Sequence, residues 1–88
     1  MAVFRLEYKS SVKKELRKLS KTDRIAVIHK IQLLAKQPHP EGSAKLKGSQ
    51  NLYRIRHGDY RVIYQIHGSV LTIIIIRIGH RRDVYKKL

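Results

Sequence analysis

The sequence predicts an α+β domain: an N-terminal strand, a helical hairpin and then an antiparallel three-stranded meander. Three observations predict it. Ala2 to Tyr8 alternates, with Phe4, Leu6 and Tyr8 on one side and Arg5 and Glu7 on the other, the period of a half-buried strand. Between Ser11 and Ala35 the apolar residues recur instead at helical spacing. From Leu52 onward β-branched and aromatic residues dominate, broken at Gly58-Asp59 and Gly68-Ser69, pairs that suit tight hairpin turns.

Taken in order, Ser10 or Ser11 follows the first strand and can cap a helix by accepting a backbone N–H. Val12, Leu16 and Leu19 then form one apolar stripe over about three turns. Lys13, Lys14, Arg17, Lys18 and Lys21 face the other way, a pattern that solvent-facing charge alone explains. Ser20 to Thr22 is a break, and Thr22 or Asp23 caps the second helix, whose core face is Val27, Ile28, Ile31, Leu34 and Ala35. Pro38 and Pro40 stop it, because the ring removes a donor and restricts the preceding residue. So short a connection implies an antiparallel helix pair. Gln37 to Gln50 reads as the longest loop, pinned by Leu46. The strands of the meander are Leu52 to His57, Tyr60 to His67 and Val70 to Ile78. The last of them, VLTIIIIRI, is apolar on both faces, which marks an interior strand covered on both sides. The helices cover one face; the other needs the C-terminal segment or a partner protein. Gly79 is expected to break the strand, leaving a basic tail that carries Tyr85.

At 88 residues the chain, 1–88, is one small domain. Its net charge is +14, and the excess is spread along the whole body. Residues 1–44 hold ten basic and four acidic side chains, and residues 45–88 hold ten and two. Self-repulsion lowers the stability of such a body, and a polyanion or an acidic protein would relieve it. There is no cysteine, so a packed core must do the stabilising, as suits a reducing cytoplasm. MAVFRLEYKS has no apolar signal-peptide core, and the run Val70 to Ile76 is too short to span a bilayer. A cytoplasmic protein with no membrane partner is expected.

The stretch Asn51–Gln65 carries the strongest functional signal. A two-residue turn at Gly58-Asp59 sets Arg56 opposite Arg61, with Arg54 one step along on the same face. Like charges directly opposite are destabilising, so an anionic partner is expected there. Tyr53, Ile55, Val62 and Tyr64 fall on the other face, in the core. A two-residue turn at Gly68-Ser69 pairs Arg61 with Ile76, turns Arg77 to the opposite face, and brings Arg81 to the patch only through a bend at Gly79.

The six carboxylates and five histidines show no metal-ligand spacing, and there is neither a Gly-rich phosphate loop nor a nucleophile elbow. No metal and no cofactor is expected. One reaction suits that inventory, because RNA brings its own nucleophile, the 2′-OH. The protein must then stabilise charge on the phosphate, move two protons and hold the RNA in line. Arg54, Arg56, Arg61 and Arg81 suit the first task. Arginine is a poor base, with a pKa above ~12, so Tyr85 or His80 is the better proton carrier. The plainer alternatives are an acidic-partner docking patch for the arginines, a packing role for Tyr85 and a solvated terminal side chain for His80.

KLKG at Lys45–Gly48, LYRIRHGDYRVIYQ at Leu52–Gln65 and RIGHRRDVY at Arg77–Tyr85 together resemble the RelE group of the RelE/ParE toxin superfamily. The order of elements is similar over the whole chain. The resemblance implies a small mixed sheet with two helices packed on one face. It implies a toxin of a type II toxin–antitoxin system that cleaves mRNA in the ribosomal A site. The implied partners are an acidic, RelB-like antitoxin, the ribosome and mRNA, with operator DNA reached only through the antitoxin complex. By position, Arg61 matches the family's phosphate-stabilising arginine, Arg81 the arginine for the transition state or leaving group, and Tyr85 the tyrosine that orients or stacks the RNA. Arg54 and Arg56 fall where well-known members have lysines, one of them proposed as the base. His80 replaces another basic residue and is a candidate proton carrier. Lys45, Lys47 and Arg82 are candidate RNA contacts. The alternatives are a ParE-like toxin that inhibits DNA gyrase by binding, and a catalytically weak member that serves as an antitoxin-binding partner.

Overall fold

Alternation, helical spacing and turn chemistry resolve into one five-stranded mixed sheet in a computed structural model that describes residues 3–86. The elements are β1 (Arg5–Tyr8), α1 (Val12–Arg17), α2 (Lys21–Leu34), β2 (Ala44–Lys45), β3 (Leu52–His57), β4 (Tyr60–His67) and β5 (Thr72–His80). The sheet order is β1-β5-β4-β3-β2; β1 runs parallel to β5, and the other neighbours are antiparallel. One core holds Val12, Leu19, Val27, Ile31 and Leu34 from the helical region against Ile55, Val62, Tyr64, Ile73, Ile75 and Ile78 from the sheet. Both helices therefore lie on one face. Each such side chain, fully buried, is worth about 1.5–3 kcal/mol.

Several expectations need correction. The loop after α2 contains a strand: β2 pairs with Tyr53 and Arg54 and adds an edge to the sheet. Two residues are too few to show a period of two. α1 is only six residues long, although Leu19 beyond its end is still buried. The cap of α2 is Ser20, whose hydroxyl accepts the Asp23 N–H at 3.1 Å, and not Thr22 or Asp23. Asp23 instead sits in the first helical turn, where a negative charge suits the helix dipole, and its Oδ1 lies 3.0 Å from His57 Nε2 at the end of β3.

The largest correction concerns register. Gly58 takes the positive φ of 57° that a tight hairpin requires, and Arg56 does face Arg61. The connection after β4 is longer than two residues. Gly68–Val70 form a 3-10 turn, Leu71 adopts a left-handed φ of 47°, and His67 pairs with Thr72. That moves the register by two and leaves every side chain on its side. Ile76 is then an extra residue, since Tyr64 pairs with Ile75 and Ile63 with Arg77. A slip of one reverses the facing of everything beyond it. Arg61 consequently pairs with Gly79 rather than Ile76, and Arg77 joins the arginine face. Nor does Gly79 break the strand, which runs on to His80.

β5 is interior, between β1 and β4, as its apolar sequence requires. It outruns β1 after Ile75, and there the Glu15 carboxylate accepts the Ile78 N–H at 2.9 Å. At the Gly79 end its second face is covered by the chain's own tail. Val84 is 1% exposed and packs over Gly79, where an added Cβ would lie 3.7 Å from the Val84 Cβ. Ile63 on the same face is fully buried, and neither residue belongs to the main core.

Tyr64 ties the core to the loop after α2. It is fully buried, stacks on Tyr53 at 5.9 Å and donates its hydroxyl to Pro38 O at 2.8 Å. Burial pushes its phenol up to about 12. The folded state thus favours the neutral form, and the associated stability is complete below the ordinary value near 10 and is lost as pH rises through about 12. An alkaline titration followed by phenolate absorbance should show a late-ionising component that is missing in Tyr64→Phe. That variant should also lose about 1–2 kcal/mol, the cost of leaving a carbonyl without its donor. A wild type whose tyrosines all ionise together would contradict this.

Candidate nucleic-acid interface

Strand alternation and the bulge at Ile76 fix which side chains share the face away from the helices. Leu52, Arg54 and Arg56 of β3, Arg61 and Ile63 of β4, and Arg77 and Gly79 of β5 lie on it. Tyr53, Ile55, Val62 and Tyr64 lie behind them in or against the core, as expected.

The guanidinium groups of Arg54, Arg61 and Arg77 on this face are held by main chain. Arg61 Nη1 donates to Gly58 O at 2.9 Å and to Tyr60 O at 3.0 Å, so its side chain folds toward the hairpin turn. Arg54 Nη1 donates to Gly42 O at 3.0 Å. Arg77 Nη1 donates to Val84 O at 3.3 Å and also to Lys86 O. Among the described residues, none of Arg54, Arg56, Arg61 and Arg77 has a carboxylate within 4.0 Å. Their charge is uncompensated at short range. Glu7 pairs with Arg5, Asp23 with His57 and Asp83 with Lys86, Glu15 accepts the Ile78 N–H, and Glu41 lines a cleft with Arg56 without coming within 4.0 Å of its guanidinium. Asp59 lies 3.9 Å from Arg81 Nη1.

The tail reaches this face by a turn after His80 instead of a bend at Gly79. The Arg81 N–H donates to Asp59 O at 2.7 Å, and the Asp83 and Val84 N–H groups both donate to His80 O at 2.9 Å. Arg81 therefore sits at the hairpin turn toward which Arg61 also folds. Further along, Tyr85 lines an open groove of about 620 Å³ with Lys45, Lys47, Leu52 and Arg54. Tyr85 is 42% exposed, so it is not a core tyrosine.

Not every expected residue joins. His80 pairs with Tyr60, their rings edge to face at 6.3 Å, which puts it on the helix side of the sheet. It lines a separate cleft of about 420 Å³ with Glu15, Lys18 and Asp83. Its Nδ1 lies 3.4 Å from the Arg82 N–H, and Arg82 itself is exposed on the tail. Arg56 is exposed beside a smaller cleft at the sheet edge, where Lys30 Nζ donates to its carbonyl at 2.8 Å. Arg77 is the residue that sequence reasoning missed. Its signal was the run of four isoleucines before it, long enough to hide an extra residue.

Fold and surface agree with known proteins. Residues 6–85 match the family model of the ParE toxin of type II toxin–antitoxin systems, parDE. A putative toxin RelE1 of Methanocaldococcus jannaschii is 33% identical, the match covering 94% of this chain and 96% of that protein. Toxin RelE3 of the same organism is 46% identical over 41 residues, and that match spans only 44% of RelE3. The archaeal RelE–RelB complex from Pyrococcus horikoshii OT3 contains a chain of the same fold, with a TM-score of 0.81, 30% identity and coverage of 93% of this chain and 99% of that one. With strand order, helix placement and sequence all in accord, the chain belongs to the RelE-like toxins of the RelE/ParE superfamily of type II toxin–antitoxin systems.

Proposed function

We propose that this protein is a ribosome-dependent endoribonuclease that cleaves mRNA in the A site with the RNA 2′-OH as nucleophile, and that an acidic, RelB-like antitoxin neutralises it. The observation that carries the reading is the folded-back tail. It starts beside Arg61 and Arg81 at the hairpin turn and delivers Tyr85 to a groove with Lys45, Lys47 and Arg54. One surface thus offers cations for a phosphate and an aromatic ring for a base.

In this reading Arg61 and Arg81 stabilise charge on the scissile phosphate. Arg61 has donors left over from its main-chain contacts, aimed by those contacts before RNA arrives, and the Arg81 guanidinium stands 3.9 Å from the Asp59 carboxylate at the same turn. Tyr85 stacks a base, and Lys45, Lys47, Arg54, Arg56 and Arg82 hold flanking phosphates. Proton transfer falls to Tyr85 more readily than to His80, which faces the helix side. The chain would act in the cytoplasm, where ribosomes are. A free +14 body is also matched to an acidic partner, and the Pyrococcus horikoshii relative was solved in complex with RelB.

A second reading has its own observation. The matching family model is that of ParE, so inhibition of DNA gyrase by binding alone is the competing function. Translation of a defined mRNA by purified ribosomes, followed by primer extension, separates the two. New 5′ ends at the A-site codon are expected. No cleavage together with gyrase inhibition would establish the alternative. Arg61→Ala and Arg81→Ala should each slow cleavage by roughly 10²-fold or more, with melting unchanged. Wild-type rates in both would remove them from the site. Ribosome affinity should fall with salt, each neutralised phosphate adding ~0.7–0.9 to the log–log slope, and a flat response would contradict RNA binding by this face.

A further inference from the structure

Arg77 has no part in the chemistry described above, yet it occupies the middle of the arginine face, opposite Ile63 and two residues before Gly79. It stands there only because Ile76 bulges. Arg77 is half-buried, and its guanidinium is turned onto main chain. Nη1 donates to the carbonyls of Val84 and Lys86, the two residues that flank Tyr85. The tail from Arg81 to Lys86 is a chain of turns with no regular ladder. Its backbone N–H bonds run to Asp59, His80 and Asp83, all at or before the middle of the segment. Beyond Asp83 the sheet holds the tail through the Val84 N–H bond to His80 O, the Val84 side chain over Gly79 and the Arg77 guanidinium, and of these the guanidinium alone reaches past Val84 to Lys86.

We propose that Arg77 is a positioning residue, a clamp that grips the main chain on both sides of Tyr85 and so holds the ring over the groove formed with Lys45, Lys47 and Arg54. Both bonds leave one Nη1, whose two hydrogens are fixed in the guanidinium plane and so point in set directions; the ammonium of lysine rotates freely on a flexible stem and fixes neither direction. The consequence for activity rests on the nuclease reading given above, but the clamp itself can be tested without it.

Arg77→Met and Arg77→Lys are to be compared with wild type by amide hydrogen exchange and by ribosome-dependent cleavage, each with and without Tyr85→Ala. In both Arg77 variants, exchange at residues 83–86 should accelerate by roughly tenfold or more while β4 and β5 stay protected, which also shows that the sheet has folded. Cleavage should fall by about tenfold. With Tyr85→Ala already present, changing Arg77 should cost no more than about a further twofold, because the clamp acts through the ring it holds. Unchanged exchange would overturn the proposal. So would two losses that multiply independently, or a lysine variant equal to wild type in both measurements. A wild-type protein that cleaves nothing would defeat the nuclease reading alone, and the exchange comparison would still decide the clamp.

Discussion

A strand that is apolar on both faces must be covered on both faces, and β5 is the element on which that requirement falls. Ile73, Ile75 and Ile78 go to the helices, leaving the opposite face to be closed by something else. The chain closes the Gly79 end of it with Val84, while Ile74 further along stays half-buried. The segment that buries Val84 is the same segment that carries Arg81, Arg82 and Tyr85, so core completion and site assembly are one event. The tail cannot leave the sheet without exposing Ile63 and Gly79 together with the arginines beside them. A partner that displaced it would have to supply apolar surface as well as negative charge.

The second constraint is electrostatic. Placing Arg56 directly across from Arg61, with Arg54 and Arg77 on the same face, costs stability in a body that is already at +14. Salt bridges would reduce that cost, but among the described residues no carboxylate lies within 4.0 Å of these four arginines. Main-chain carbonyls take their place: Gly42, Gly58, Tyr60, Val84 and Lys86 each accept from one of these guanidinium groups. A carbonyl aims an arginine without neutralising it. A carboxylate would do both, and would spoil the surface for an anionic ligand.

Much of this was legible in the sequence because it follows local rules. The Arg56–Arg61 pair is fixed by a two-residue turn, and the inward tyrosines by a period of two. What stayed illegible depended on geometry that no short-range pattern carries. Leu71 shows no glycine where a left-handed residue was needed, so the longer connection was hidden. Four consecutive isoleucines give no alternation against which an inserted residue would stand out. Those two features moved the Arg61 partner by three residues, and only the bulge changed a side chain's face. The candidate surface was therefore foreseen along β3 and the hairpin, and misjudged along β5.

That distinction bears on the proton acceptor, the weakest part of the sequence reading. Arg54 and Arg56 cannot easily lose a proton, and His80 follows Gly79 on a strand whose alternation is intact again after the bulge. Gly79 faces the arginines, so His80 must face Tyr60. No rotation of its ring changes which side of the sheet it leaves from. The groove, by contrast, is lined by Tyr85 together with Lys45, Lys47 and Arg54. If the proposed cleavage removes the 2′ proton with the protein's own groups, the candidates in that groove lie on the tail, at Tyr85, and on β2 and the loop after it, at Lys45 and Lys47. Both are short, and both are placed by the hydrogen bonds of neighbours: Arg77 for the tail, and β3 for β2. In that reading the geometry of the groove is set from the middle of the sheet outward, through the Arg77 bonds to the tail and the pairing of β2 with β3.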